Sequence, residues 1–247
     1  TLFWAEEKLE MHGAPERVEV LSSRSLTFVL DPEGRRVHVV DPSFRHSGAV
    51  HCLDSSFWPG VEAGPARQGV CQEGFVEIHR GYVETQGTPV GMAVDSEDLD
   101  LYVLDHLGTL FRVSADLVRG NPYDYLKAVE QVKLPLELQP RIHPTAFFEG
   151  VFYVAEGSRI WAFEPGGLLV GSQDQAATVV DMVVSGERLW VATEEGLGWD
   201  ETWWPLDSTP SRMRADGQGG VWISLPEEGA LVHVLDEESA VAVEGLQ

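Results

Sequence analysis

Residues 89–114 read PVGMAVDSEDLDLYVLDHLGTLFRVS and carry a clear pattern of strands and turns. This stretch contains three short runs of Val, Leu, Met, Tyr and Phe, separated by segments that carry Asp, Ser and Gly. The apolar and aromatic residues favour β-strands, whereas Asp, Ser and Gly favour tight turns. The stretch therefore predicts three consecutive antiparallel strands joined by turns.

A five-residue pattern at the centre of this stretch recurs along the chain. An apolar residue is followed by an aromatic or similar residue, a second apolar residue, any residue and often an acidic residue. The copies begin at residues 37, 101, 152, 189 and 221, and they read VHVVD, LYVLD, FYVAE, LWVAT and VWISL. A repeat of ~40–50 residues is typical of a propeller blade, which buries its faces only against neighbouring blades. The sequence therefore predicts an all-β fold, a β-propeller.

The number of blades depends on the region between the first two copies, which lie about twice as far apart as the last two. Residues 55–88 within this region form either a degenerate blade or a long insertion. A blade here gives a six-bladed propeller, which we favour, and an insertion gives five blades. We expect a single propeller domain over residues 1–247, in which residues 1–24 form an N-terminal extension or supply a closing strand.

The charge of the chain excludes several classes of partner. The sequence has 40 Asp and Glu against 17 Lys and Arg, a formal net charge of −23. A nucleic-acid binder needs a cationic surface, and an acidic protein is repelled by anionic membranes. No apolar run approaches the ~18 residues of a membrane-spanning helix, so we expect no membrane insertion.

The composition assigns no compartment, and Cys52 and Cys71 can form one disulfide or remain free thiols.

Residues 89–114 resemble an NHL repeat, or a blade of the senescence-marker, gluconolactonase-like superfamily of β-propellers. The resemblance rests on the Pro-x-Gly-apolar-Ala-Val-Asp start, the Leu-Tyr-Val-x-Asp centre and the apolar-x-Arg-apolar end, with looser copies at 26–54 and 144–165. It implies a propeller. In the hydrolases of this superfamily, Glu, Asn and Asp side chains hold a divalent metal, usually calcium, in the axial channel. The single asparagine here, Asn121, falls in a predicted outer loop, so no ligand can be transferred.

A second similarity concerns residues 31–41. Their pattern, Asp-Pro-x-Gly-Arg-x-Val-x-Val-x-Asp, is similar to units of propeller modules in phage-tail-like or contractile-injection assemblies. This similarity implies a structural component of a larger assembly.

Three acidic residues that end copies of the repeat are candidate metal ligands. Asp41, Asp105 and Glu156 would lie near one rim of the ring, where converging carboxylates could bind a hard cation such as calcium. The alternative is that each carboxylate accepts hydrogen bonds from the backbone of its own turn, and we favour this alternative.

Four tryptophans form the second candidate site. Trp199, Trp203 and Trp204, with Trp58 in the 55–88 segment, could bind a partner protein or stack on sugars. The alternative is that these rings pack between blades. Strand alternation predicts Trp199 and Trp203 on one face and Trp204 on the other.

The sequence contains no recognisable catalytic set. It has no nucleophile elbow and no phosphate-binding glycine loop. His106 and His143 could act as general bases, but neither has an evident third partner, and His38 is expected to pack between blades.

We therefore predict a non-enzymatic interaction or scaffold module without a cofactor, which contacts a protein partner through its loops and the 55–88 segment. It would be a structural component of a larger assembly, such as a phage-tail-like particle. The first alternative is a hydrolase of lactones or esters that depends on a divalent metal, with calcium as its cofactor. The second alternative is a carbohydrate-binding propeller.

Overall fold

The computed structural model describes residues 17–21, 26–40, 79–95, 97–98, 100–114, 130–199, 202–236 and 239–244. Within these ranges the chain forms twenty β-strands in five antiparallel sheets of four strands each. The all-β prediction is therefore confirmed. Among the residues that the structure describes, none belongs to a helix that could span a lipid bilayer.

The strands pair in chain order within each sheet, so that every strand is hydrogen-bonded to the next. Sheet by sheet, they are β1 (Arg17–Leu21), β2 (Leu26–Asp31), β3 (Arg36–Val40) and β4 (His79–Glu84); β5 (Pro89–Asp95), β6 (Asp100–Asp105), β7 (Thr109–Ser114) and β8 (Glu130–Lys133); β9 (Thr145–Phe148), β10 (Val151–Glu156), β11 (Arg159–Phe163) and β12 (Leu169–Asp174); β13 (Val179–Ser185), β14 (Arg188–Thr193), β15 (Gly196–Trp199) and β16 (Thr202–Pro205); β17 (Arg212–Ala215), β18 (Val221–Leu225), β19 (Ala230–Asp236) and β20 (Ser239–Glu244).

Consecutive sheets contact one another through their first strands. Strand β1 lies beside β5, β5 beside β9, β9 beside β13, and β13 beside β17. Hydrogen bonds join these strands across the sheets: the Thr145 hydroxyl of β9, for example, donates to the carbonyl of Met92 in β5 at 2.8 Å. The first strand of each sheet is therefore the inner strand, and the fourth is the outer strand.

Four clusters of buried apolar side chains fill the spaces between consecutive sheets. Between the second and third sheets, the Tyr102 ring stacks on Phe147 with centroids 4.5 Å apart. Burial raises the pKa of Tyr102 to about 12, so its phenol stays neutral. Between the fourth and fifth sheets, the cluster is built around Trp190, which is fully buried.

The first copy of the repeat lies one strand later in its sheet than the other copies. The copies that begin at 101, 152, 189 and 221 form second strands, whereas residues 37–40 belong to the third strand, β3. The reason is that an alternating apolar run suits either strand of a hairpin. The position that corresponds to Asp105 in the first sheet is therefore Asp31, at the end of β2, and not Asp41.

Part of the 55–88 segment belongs to the first sheet. Strand β4 pairs directly with β3, with Val83 opposite Val37. Residues 41–78 therefore connect two neighbouring strands of one sheet. The described residues form five sheets, and the six-blade count stays a prediction.

Of residues 1–24, the structure describes 17–21, and the expectation of a closing strand or an N-terminal extension stays a prediction. Residues 17–21 pair with β2 as the inner strand of the first sheet, and the last sheet takes its four strands from residues 212–244.

Candidate functional site

Asp105 lies fully buried at the end of β6. Its Oδ1 accepts a hydrogen bond from the backbone N–H of Thr109 at 2.8 Å, and its Oδ2 accepts one from the N–H of Gly87 at 2.9 Å. The carboxylate therefore closes the β6–β7 turn and also holds the connection between β4 and β5. Both oxygens are engaged by backbone donors, as in the turn-capping alternative.

Asp31, which the sequence reasoning missed, has a comparable role in the first sheet. Its Oδ1 accepts a hydrogen bond from the N–H of Gly34 at 2.9 Å, and its Oδ2 lies 3.4 Å from Nε2 of His38. Both side chains are buried, and the expectation that His38 packs between blades stays a prediction. The signal for Asp31 was the Asp-Pro-Glu-Gly turn, which corresponds to the turn after Asp105.

Of the three predicted metal ligands, the structure describes Asp105 and Glu156. Glu156 is half-buried, and its Oε1 lies 3.4 Å from the N–H of Gln139. Asp41 lies outside the described residues. Across the part of the chain that the structure describes, no three His, Cys, Asp or Glu side chains form a group that could hold a metal ion.

The two histidines that were candidate general bases both contact the backbone. Nδ1 of His106 accepts a hydrogen bond from the N–H of Thr88 at 2.8 Å. His143 is buried, and its two ring nitrogens lie 3.1 Å and 3.0 Å from the carbonyl oxygens of Ala155 and Gln139. These contacts fix the position of both rings.

Asp181 joins the fourth and fifth sheets and was not predicted from sequence. It is buried on the inner strand β13, and its Oδ2 accepts a hydrogen bond from the N–H of Met213 on the inner strand β17 at 2.9 Å. Oδ1 accepts from the N–H of Met182 at 3.0 Å. Like Asp105, this carboxylate is satisfied by backbone donors.

Asp216 orders the loop between β17 and β18. Oδ1 accepts hydrogen bonds from the N–H groups of Gln218 and Gly220, at 2.7 Å and 2.9 Å, and Oδ2 lies 2.8 Å from Nε2 of His233. The His233 ring in turn stacks on Trp222, with centroids 4.1 Å apart. Burial alone would raise the pKa of Asp216, but the hydrogen bonds from Gln218, His233 and Gly220 outweigh burial and lower it.

We expect Asp216→Asn to lower the free energy of unfolding at neutral pH, with an effect that disappears in acid. The pKa of Asp216 is lower in the folded state than the ~3.9 of an unfolded Asp, so its stabilisation is present above that value. It is lost as the pH falls through the folded pKa, where wild type and variant are both neutral. Urea unfolding of the two proteins between pH 7 and pH 2.5 measures this convergence, with Gln218→Ala as a control that keeps the backbone donor. A difference that stays constant with pH would contradict the prediction.

The three tryptophans between 199 and 204 lie on different faces from those predicted. In the pairing of β15 with β16, Trp204 lies opposite Leu197, and Trp203 lies opposite Gly198. Trp199 and Trp204 therefore share one face, with ring centroids 4.6 Å apart, and Trp203 lies on the other face. The prediction was wrong because the turn between the two strands interrupts the alternation of side chains.

Two of these rings are packed and one is exposed. Trp199 is buried against Trp190, with centroids 4.2 Å apart, whereas 42% of Trp203 is exposed. The Trp203 indole lies on Gly196 and Gly198: a Cβ at either glycine would come within 2.5 Å of it. Only glycine leaves space for the ring at these two positions. Among the described tryptophans of this candidate site, Trp203 is exposed and Trp199 is buried, so these rings do not form an exposed ladder. Trp58 lies outside the described residues.

No family model and no curated protein matches the sequence. Solved structures do match the fold. A streptogramin B lyase structure has a TM-score of 0.59 at 9% identity, over 93% of this chain and 69% of that chain. A hydrazine synthase of Kuenenia stuttgartiensis has a TM-score of 0.56 at 13% identity, over 98% and 68%. A WD40 β-propeller domain has a TM-score of 0.52 at 12% identity, over 94% and 71%. The WD40 domain is a β-propeller, and at such identities the likeness concerns the fold alone, so the chain has a β-propeller-like fold.

Proposed function

We propose that this chain is a non-enzymatic β-propeller module that binds another protein as a structural component of a larger assembly, such as a phage-tail-like particle. We also propose that it is a single propeller domain in which the five described sheets are blades. The proposal rests on the fold and on one apolar surface at the outer edge of the third sheet.

The observation that carries the proposal is a run of three exposed apolar residues. Leu168, Leu169 and Val170 are 62%, 46% and 48% exposed, at the start of the outer strand β12. All six residues of β12 are exposed. Single exposed apolar residues are common on protein surfaces, whereas contiguous ones are typical of surfaces that bind a partner. We call residues 168–170 the apolar edge.

The strand geometry supports binding through side chains and not through an added strand. Phe163 pairs with Leu169 and Ala162 with Gly171, so Val170 is an extra residue in β12. Such a bulge bends the strand and interrupts the row of free backbone groups that an added strand would need. The partner would therefore cover the leucine and valine side chains. The net charge of −23 favours a partner with basic residues around that contact.

We expect Leu169→Glu to release the chain from its assembly. In gradient sedimentation of extracts from its native cells, the wild-type chain should move with a large particle, and the variant should stay in the light fractions. Gln173→Glu is the matched control, because it adds the same charge at another exposed position of β12. We expect this control to sediment like wild type. A wild-type chain that sediments alone, or two variants that behave alike, would overturn the proposal.

A calcium titration of the chelator-treated chain separates this proposal from the hydrolase alternative. The buried carboxylates Asp105 and Asp181 already accept backbone hydrogen bonds, which supports a structural role for them. We expect no saturable heat of binding and no change in Tm. Micromolar binding with a raised Tm would favour a metal site and would direct the work to lactone and ester substrates.

A further inference from the structure

A cleft of about 250 Å³ lies between the fourth and fifth sheets. One wall is the β13–β14 turn, which contributes Ser185, Gly186, Glu187 and Arg188. The opposite wall is formed by Gln218 and Gly219 of the β17–β18 loop and by Leu235 of β19. The cleft lies on different sheets from the apolar edge.

The two walls of this cleft are tied to each other. The Ser185 hydroxyl donates a hydrogen bond to the carbonyl of Gly220 at 2.6 Å, from the turn to the loop. Gly186 has a φ of 62°, and a Cβ there would lie 3.1 Å from Cα of Gly219, so the turn and the loop are in close contact. Asp216 also fixes the loop, because its Oδ1 accepts hydrogen bonds from the N–H groups of Gln218 and Gly220. The cleft is therefore preorganised.

Arg188 is the cationic group of the cleft. Its Cζ lies 4.4 Å from the ring centroid of Trp199, and that ring is held in place by Trp190 and Trp204. Stacking on an aromatic face orients a guanidinium and leaves its N–H edge available. Among the described residues, the Arg188 guanidinium makes no hydrogen bond or salt bridge, whereas Arg112 and Arg159 pair with Asp100 and Asp174.

We propose that this cleft binds a carboxylate group through Arg188, with an attached apolar group against Leu235. A guanidinium edge matches a carboxylate in shape and charge and forms two parallel hydrogen bonds with it. Leu235 is 37% exposed and supplies the apolar part of the wall. The volume is below the ~300–1,000 Å³ of pockets for drug-sized molecules. The ligand is therefore of the size of one apolar residue with a free carboxylate, either a small acid or a polypeptide chain end.

The charge around the cleft favours a ligand with a single negative charge. Glu187 borders the cleft and is exposed, and the chain as a whole is strongly acidic. Both repel a polyanion, so a phosphate-rich ligand is disfavoured relative to a monocarboxylate. Binding in this cleft does not depend on the partner contact at the apolar edge.

The test uses the dipeptide N-acetyl-Gly-Leu, its C-terminal amide and 4-methylpentanoate as probes. Binding is followed by NMR through the backbone amides of Gly186 and Gly219. We expect the free-acid dipeptide to give saturable shifts and to bind at least tenfold more tightly than the amide. Arg188→Gln should abolish this preference for the acid, and Glu187→Gln should strengthen binding of the acid. Arg212→Gln is the matched control, because it removes the same charge at an exposed position outside the cleft.

The outcomes separate the two sources of the carboxylate. Equal affinity for 4-methylpentanoate and the dipeptide acid supports a small free acid, and tighter binding of the dipeptide supports a chain end. Equal shifts with acid and amide, no shift with any probe, or unchanged binding in Arg188→Gln would overturn the proposal. Leu169→Glu should bind the dipeptide like wild type, so failure of this site and failure of the apolar edge are distinguishable.

Discussion

Replacing Trp190 with alanine is expected to lower the free energy of unfolding by about 3–5 kcal/mol, the usual cost of removing a large buried aromatic side chain. Trp190 is fully buried on β14, in the cluster between the fourth and fifth sheets. Its ring contacts Trp199 and Trp204, with centroids 4.2 Å and 5.9 Å away. Alanine would leave a cavity between two sheets that neighbouring rings, themselves held by strand pairing, cannot fill.

A second substitution, Trp190→Phe, separates the contribution of ring packing from the cost of the buried indole N–H. The indole N–H of Trp190 is buried and has no hydrogen-bond partner among the described residues. An unsatisfied buried donor is unfavourable, and phenylalanine removes it while it keeps an aromatic ring. Trp190→Phe should therefore be much less destabilising than Trp190→Ala.

Chemical denaturation followed by circular dichroism measures these effects. Trp203→Ala is the control, because Trp203 is the exposed tryptophan of the same sheet and its loss should cost less. Equal losses for Trp190→Ala and Trp203→Ala would contradict the packing described for the fourth and fifth sheets.

Replacing Asp105 with alanine is the second change for which we expect a large loss. It removes the acceptors of the N–H groups of Thr109 and Gly87 in a fully buried site. Each buried donor left without a partner costs about 1–3 kcal/mol. The two donors together should therefore lower the free energy of unfolding about as much as Trp190→Ala does. Asp105→Asn keeps one acceptor oxygen and turns an amide N–H₂ toward the other donor. Its loss of unfolding free energy should therefore be as large as that of Asp105→Ala, or lie between that loss and zero.

The unfolding of Asp105→Ala should be measured in the presence of a chelator. A turn-capping carboxylate stabilises the fold without metal, so the loss should be undiminished. A variant as stable as wild type under these conditions would instead support a metal ligand. Asp98→Ala is the matched control, since it removes a carboxylate at an exposed position of the same sheet.

The fold class and the strand content could be predicted because the repeat carries both strand and turn residues. Strands β6, β10, β14 and β18 all contain copies of the pattern. The first copy could not be placed, because the runs 26–31 and 36–40 are both apolar and both end near an acidic residue. The pairing of β1 with β2 shows that residues 36–40 form the third strand, and β4 completes the sheet.

The candidate sites were predictable only where the chemistry is local. Asp105 caps a turn four residues long, which a sequence pattern shows directly. The contact of Asp216 with His233, the hydrogen bond between Asp181 and Met213, and the cleft beside Arg188 join residues from different strands or sheets. Their positions depend on how the sheets pack, which a single sequence does not contain. The faces of Trp199 and Trp203 were missed because alternation holds within a strand and not across a turn.

The connection between β3 and β4 has a consequence for how the protein is made. Strands β13 and β14 are joined by two residues, so they can pair as soon as both have left the ribosome. Strand β3 must wait for residues 41–78 to be synthesised before β4 becomes available, and pairing two strands that are farther apart in the chain carries a greater entropic cost. Until then, the outer edge of β3 is a free edge in the nascent chain. The first of the five described sheets is thus completed only after a delay, and during that interval its open edge can pair with the wrong strand.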